Sequence, residues 1–107
     1  MAKKILQYEM SHGKVPFREW FLSLKDITAK ARIRTRLDRL RLGHFGDTKP
    51  VGEGVFELRL HFGPGYRIYY GLDGDEIVLL LLGGDKSRQT KDIYQAQQYW
   101  NDYLRRP

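Results

Sequence analysis

Val55–Gly71, VFELRLHFGPGYRIYYG, is the stretch whose reading decides the fold. It reads as two β-strands folded back on each other through Gly63-Pro64-Gly65. On the first strand Phe56, Leu58, Leu60 and Phe62 alternate with Val55, Glu57, Arg59 and His61. Side chains along a strand repeat with period two, so one face is apolar and the other carries a carboxylate, a guanidinium and an imidazole. On the return strand Ile68 and Tyr70 share one parity, Arg67 and Tyr69 the other. Pairing that brings the polar sets together puts Glu57, Arg59, His61, Arg67 and Tyr69 on one sheet face. Fork-shaped guanidinium donors at that density point to a face that handles phosphate.

Outward from this hairpin, the remaining elements follow from periodicity and punctuation. Lys4–Glu9 reads as a short first strand with Ile5 and Leu6 as core candidates. Pro16 suits the first turn of a helix, where a missing N–H costs nothing. Phe17, Trp20, Phe21 and Leu24 then follow at helical spacing, a stripe that reads as core. A second helix runs from Asp26 to about Leu42, with Ala29, Ile33, Leu37 and Leu40 as its buried stripe and Gly43 as its left-handed cap. The two helices form a hairpin. Gly46–Gly54 reads as a polar loop. Asp73-Gly74 is a strong turn signal, and Ile77–Leu82 (IVLLLL), apolar on both parities, is a central strand covered on both faces and ended by Gly83-Gly84. A last helix begins near Thr90, with Ile93, Ala96, Trp100 and Leu104 buried. The expected fold class is α+β in the order β-α-α-β-β-β-α, with a helical hairpin and a C-terminal helix packed on a small, mainly antiparallel sheet. The N-terminal strand adds at one edge.

At 107 residues with 41% hydrophobic content the chain makes one domain with a modest core. It has no cysteine, which fits a reducing cytoplasm, and the N-terminus MAKKILQYEM lacks the apolar core of a signal peptide. No run reaches the ~20 apolar residues of a membrane helix, so no membrane role is expected. The net charge of +6 is uneven: residues 1–49 carry twelve Lys/Arg against five Asp/Glu, and residues 50–107 carry seven against eight. On the second helix Arg32, Arg36 and Arg39 line one flank, and Lys30, Arg34 and Arg41 the other. Few acids stand at pairing distance, so this helix reads as a nucleic-acid backbone contact, against a solvated face or a surface for an acidic partner.

Several chemistries drop out. His12, His44 and His61 lie on separate elements with no carboxylates at ligand spacing, so no metal site is expected. There is no Gly-rich phosphate loop and no Ser-His-Asp or Cys-His arrangement. A basic face without metal can still cleave RNA, whose own 2′-hydroxyl is the nucleophile. The protein then assists deprotonation, holds the phosphate in line and offsets charge in the transition state.

The segments ELRLHFGPGYRIYY and GGDKSRQTKDIY, with the element order, resemble the RelE/ParE toxin superfamily, most closely its HigB-like "addiction module killer" branch. The resemblance covers most of the chain. It implies a toxin of a type II toxin–antitoxin system, either a ribosome-dependent mRNA endoribonuclease or, as in ParE, a poison of DNA gyrase. Its partners would be the ribosome, mRNA and a cognate antitoxin, helix-turn-helix and HigA-like; no cofactor is implied. Residue by residue, Arg67 matches a phosphate-stabilising arginine. Lys86 stands where the family has an arginine that stabilises the transition state and leaving group. Tyr94 matches a tyrosine that stacks on or orients the substrate, a role Tyr69 could share. Two same-face lysines of RelE are replaced here by Glu57 and Arg59. Arg59 can clamp phosphate but stays protonated; Glu57 is either the base or the partner of Arg59. Arg88 and Lys91 join Arg32, Arg36 and Arg39 as RNA-backbone contacts. A non-catalytic module that binds nucleic acid or antitoxin is the third reading.

Overall fold

A computed structural model describes residues 2–107. Five strands form one sheet in the order β1-β5-β4-β3-β2: β1 (Lys4–Gln7), β2 (Thr48–Pro50), β3 (Val55–Leu60), β4 (Tyr66–Asp73) and β5 (Ile77–Asp85). All neighbours pair antiparallel except β1, which adds in parallel to β5 at the edge. The helices are α1 (Pro16–Ser23), α2 (Ile27–Arg41) and α3 (Gln89–Arg105), and a 3₁₀ turn, Lys86–Arg88, leads into α3. This is the α+β, RelE-like architecture that the element order predicts. No helix among the described residues is long and apolar enough to cross a membrane.

The sheet has a core on each face. Leu58, Leu60, Ile68, Tyr70, Val78 and Leu80 pack with Phe17, Ala29, Ile33 and Leu40 of α1 and α2. Val55, Tyr69, Leu79 and Leu81 pack with Ala96 and Trp100 of α3. The expected polar face of the hairpin is therefore a second buried face for most of its length, because α3 lies over it. The apolar IVLLLL run serves both cores, as its double parity requires.

Local chemistry accounts for the helix boundaries. Pro16 opens α1, and the Asp26 carboxylate accepts a hydrogen bond from the Ala29 N–H (3.1 Å), capping α2. Gly43, just past the end of α2, has φ +91°, the left-handed conformation that ends a helix. Two glycines of the sheet admit indole rings. A Cβ on Gly83 would stand 2.1 Å from Trp20 of α1, and one on Gly71 would stand 2.4 Å from Trp100 of α3. A side chain there would force repacking at a cost of about 1–3 kcal/mol.

Three expectations change, and one feature has no counterpart among them. The loop before the hairpin contains β2, whose Thr48, Lys49 and Pro50 pair with Leu58, Glu57 and Phe56. Strand β5 continues through Gly83-Gly84 to Asp85, because β4 supplies a partner for each of these residues. Leu6 and Leu104 are exposed, whereas Tyr8 just after β1 and Asp92 in the first turn of α3 are buried. Finally, the β4–β5 register shifts between Tyr69 and Tyr70: Tyr69 opposes Leu82, and Tyr70 opposes Leu80. This bulge reverses the parity of the last residues of β5. It sets Gly83 under Trp20 on the α1 side and Gly84 beside Arg67 on the α3 side.

Candidate functional site: a guanidinium cluster at the open end of the sheet

Gln89, the first residue of α3, is bonded to Glu57, so the end of the sheet beyond that pair lies past the start of the helix. Arg59 and Arg67 are direct cross-strand partners there, as are Glu57 and Tyr69 two pairs inward. The predicted alignment is present for Glu57, Arg59, Arg67 and Tyr69, whereas His61 lies past the end of β3 with its ring bonded to Asp47.

Glu57 is the hub. It is 0% exposed. Its Oε1 accepts from Arg59 Nε at 3.0 Å, and its Oε2 accepts from Gln89 Nε2 at 2.8 Å. Arg67 Nε lies 4.0 Å from the same Oε1, close enough for attraction but too far for a hydrogen bond. Arg67 is 7% exposed; its Nη1 donates to the Tyr66 carbonyl (3.1 Å), and its Nε is buried without a hydrogen-bond partner. One carboxylate thus faces two guanidiniums, and the cluster keeps a net positive charge. An uncompensated buried cation is costly, and an anion arriving at this end of the sheet relieves that cost.

Lys86 is exposed at the start of the 3₁₀ turn, and its stem lies near Arg67 across Gly65: a Cβ on Gly65 would stand 3.4 Å from both Arg67 Nη1 and Lys86 Cβ. Arg88 and Lys91 are exposed nearby, and Lys86, Arg88 and Lys91 border a shallow concavity at the start of α3. Asp92, missed in the sequence, lies against the Gly84 backbone with Arg88 Nε 4.0 Å away. Burial pushes its carboxyl above the usual range, and Arg88 opposes that shift.

The other candidates fall differently. Tyr94 is 63% exposed on α3, open to a ligand. Tyr69 is not: its ring is fully buried and its hydroxyl has no hydrogen-bond partner. Burial, and then the facing Glu57 charge, push that phenol well up. A nucleotide cannot stack on it, and its part is to close the floor beneath Glu57. Glu57, with no exposure and both oxygens engaged, likewise anchors the arginines and does not meet a substrate. Gln89, which fills its second oxygen, has no sequence signal beyond its place after the GGDKSR junction.

Arg32, Arg36 and Arg39 line a groove of about 420 Å³ between α2 and the end of β3, together with Arg59, His61 and Asp47. Arg36 Nη2 donates to the Phe45 carbonyl (3.3 Å), and burial, with Arg39 beside it, lowers its pKa. Arg32 lies over the Phe62 ring, 4.8 Å from its centroid. Arg59 borders both the groove and the Glu57 cluster.

Residues 19–99 match the family described as phage derived protein Gp49-like. An uncharacterized protein of Haemophilus influenzae is 51% identical over 81 residues, which span 76% of this chain and 82% of that one. The matched region runs from α1 through most of α3 and contains the guanidinium cluster and the groove. On the strength of that match the chain belongs to the phage-derived Gp49-like family, a toxin-like family of addiction modules.

Proposed function

We propose that this chain is the toxin of a HigB-type toxin–antitoxin pair: a metal-independent endoribonuclease that cuts mRNA on the ribosome by attack of the RNA's own 2′-hydroxyl. The observation that carries the reading is the pairing of Arg59 and Arg67 around a single buried carboxylate at one end of the sheet, with the stem of Lys86 close by. Such a cluster is preorganised for a doubly charged pentavalent phosphorane, and it is in place before the substrate arrives. Arg67 and Lys86 offset the phosphorane charge, and Lys86 assists the leaving 5′-oxygen. Arg59 holds a phosphate oxygen, Tyr94 orients the nucleotide, and Arg88, Lys91 and Arg39 contact RNA backbone. Arg32 and Arg36 contribute field from the groove wall. Affinity resting on phosphate contacts falls steeply with salt. The partners are the ribosome, mRNA and a HigA-like helix-turn-helix antitoxin, and the setting is the cytoplasm.

The test is induction of wild type and Arg67→Ala in bacteria, with mapping of mRNA 5′ ends. Codon-phased cuts that vanish in the variant are expected. Intact mRNA with a DNA-damage response would instead make the chain a gyrase-directed toxin, and growth without arrest would leave a binding module.

A further inference from the structure

The reaction proposed above needs a group that takes the proton of the 2′-hydroxyl, and the Glu57 cluster has none. Glu57 is buried with both oxygens occupied, and arginine has no acceptor lone pair. His61 follows the end of β3, two residues beyond Arg59, and is 65% exposed. Its Nε2 is hydrogen-bonded to Asp47 Oδ2. The backbone bond from Arg59 N–H to the Asp47 carbonyl (2.9 Å) pins that aspartate beside β3. The His61 bond, foremost, holds the Asp47 carboxyl below the usual range, so it faces the imidazole as an anion. With Nε2 committed to Asp47, Nδ1 is the nitrogen left for a ligand. His61 and Asp47 sit in the α2–β3 groove, faced by Arg36 and Arg39 from α2 and by Arg59 from β3. The groove thus combines several guanidiniums and a carboxylate-oriented imidazole in a volume of about 420 Å³, room for one nucleotide.

We propose that this groove receives one nucleotide of the RNA and that His61, oriented by Asp47, is the base for its 2′-hydroxyl. The assignment rests on the RNA-cleaving reading. Nδ1 takes the hydroxyl proton as the O2′–P bond forms, and the resulting imidazolium is balanced by Asp47. The P–O5′ bond breaks, the 5′-oxygen takes a proton from Lys86, and the products are a 2′,3′-cyclic phosphate and a 5′-hydroxyl.

The test measures single-turnover cleavage of ribosome-programmed mRNA from about pH 5 to 8, the range over which histidine changes charge. His61→Gln should lower the rate at least about 100-fold, the usual contribution of a positioned base, and erase the fall in activity toward acid pH. Because His61 is exposed, its thermal midpoint and ribosome affinity should stay near wild type. Asp47→Asn, which leaves the imidazole without its orienting carboxylate, should lower the rate by less than His61→Gln does. An mRNA with a bridging 5′-sulfur, whose leaving group needs no proton, should restore Lys86→Ala and leave His61→Gln slow. A His61→Gln protein that cuts near the wild-type rate with the acid limb intact overturns this assignment and spares the RNA-cleaving reading. Sulfur rescue of His61→Gln overturns it too, by making His61 the acid. A wild type that cuts no mRNA overturns both.

Discussion

On α2, Lys30 and Arg34 lie over the Phe21 ring, 5.6 and 5.0 Å from its centroid, and Arg32 lies over Phe62 at 4.8 Å. At the sheet end, Arg59 and Arg67 crowd one oxygen of a carboxylate that has no exposure at all. The first group keeps its charge in water and uses ring faces as supports, so each cation is held weakly and independently. In the second group each member depends on the others, because a charge taken out of water must be matched by a partner. Density of arginine in a sequence does not by itself distinguish these situations. What distinguishes them is whether the matching anion is buried.

That contrast can be broken most directly at Glu57. Glu57→Ala strands the buried Arg67 without its counter-charge and should destabilise the fold by about 3–5 kcal/mol, read as a fall in the urea midpoint at unchanged slope. A loss near zero would mean the sheet-end arginines are as independent as those of α2. A smaller effect is expected at Gln89, the neutral partner of Glu57 Oε2. Gln89→Leu leaves that oxygen unsatisfied and should cost about 1–3 kcal/mol, again by urea unfolding. The smallest belongs to α2: Arg34→Ala removes one exposed cation–ring contact and should cost no more than about 1 kcal/mol. A larger loss would show that the aromatic supports hold α1 and α2 together.

Much of this was legible in the chain. The alternation in Val55–Phe62 gave the apolar face, and the shared parity of Glu57, Arg59, Arg67 and Tyr69 gave their common face. Asp26 and Gly43 marked the ends of α2 through capping chemistry that is local in sequence. The alternation carried no sign that α3 would cover the inner half of the polar face. It therefore suggested a solvent-facing Glu57 and a nucleotide-facing Tyr69, where both are sealed in the core. Nor did it single out His61: the strand pattern displayed it, but its partner Asp47 comes from a loop fourteen positions earlier.

What the sequence determined by itself was what depends on neighbours along the chain: strand parity, helix stripes, caps, turns and the excess of cations. What only the tertiary structure decided was which of those polar groups meet water. The register shift between Tyr69 and Tyr70 turns the end of β5 so that Gly84 lies beside Arg67, and α3 begins just where Gln89 can close over Glu57. Both outcomes depend on packing between segments far apart in the chain. The same packing converts a row of alternating charged residues into one buried anchor, two arginines held at a fixed spacing and an open end of the sheet.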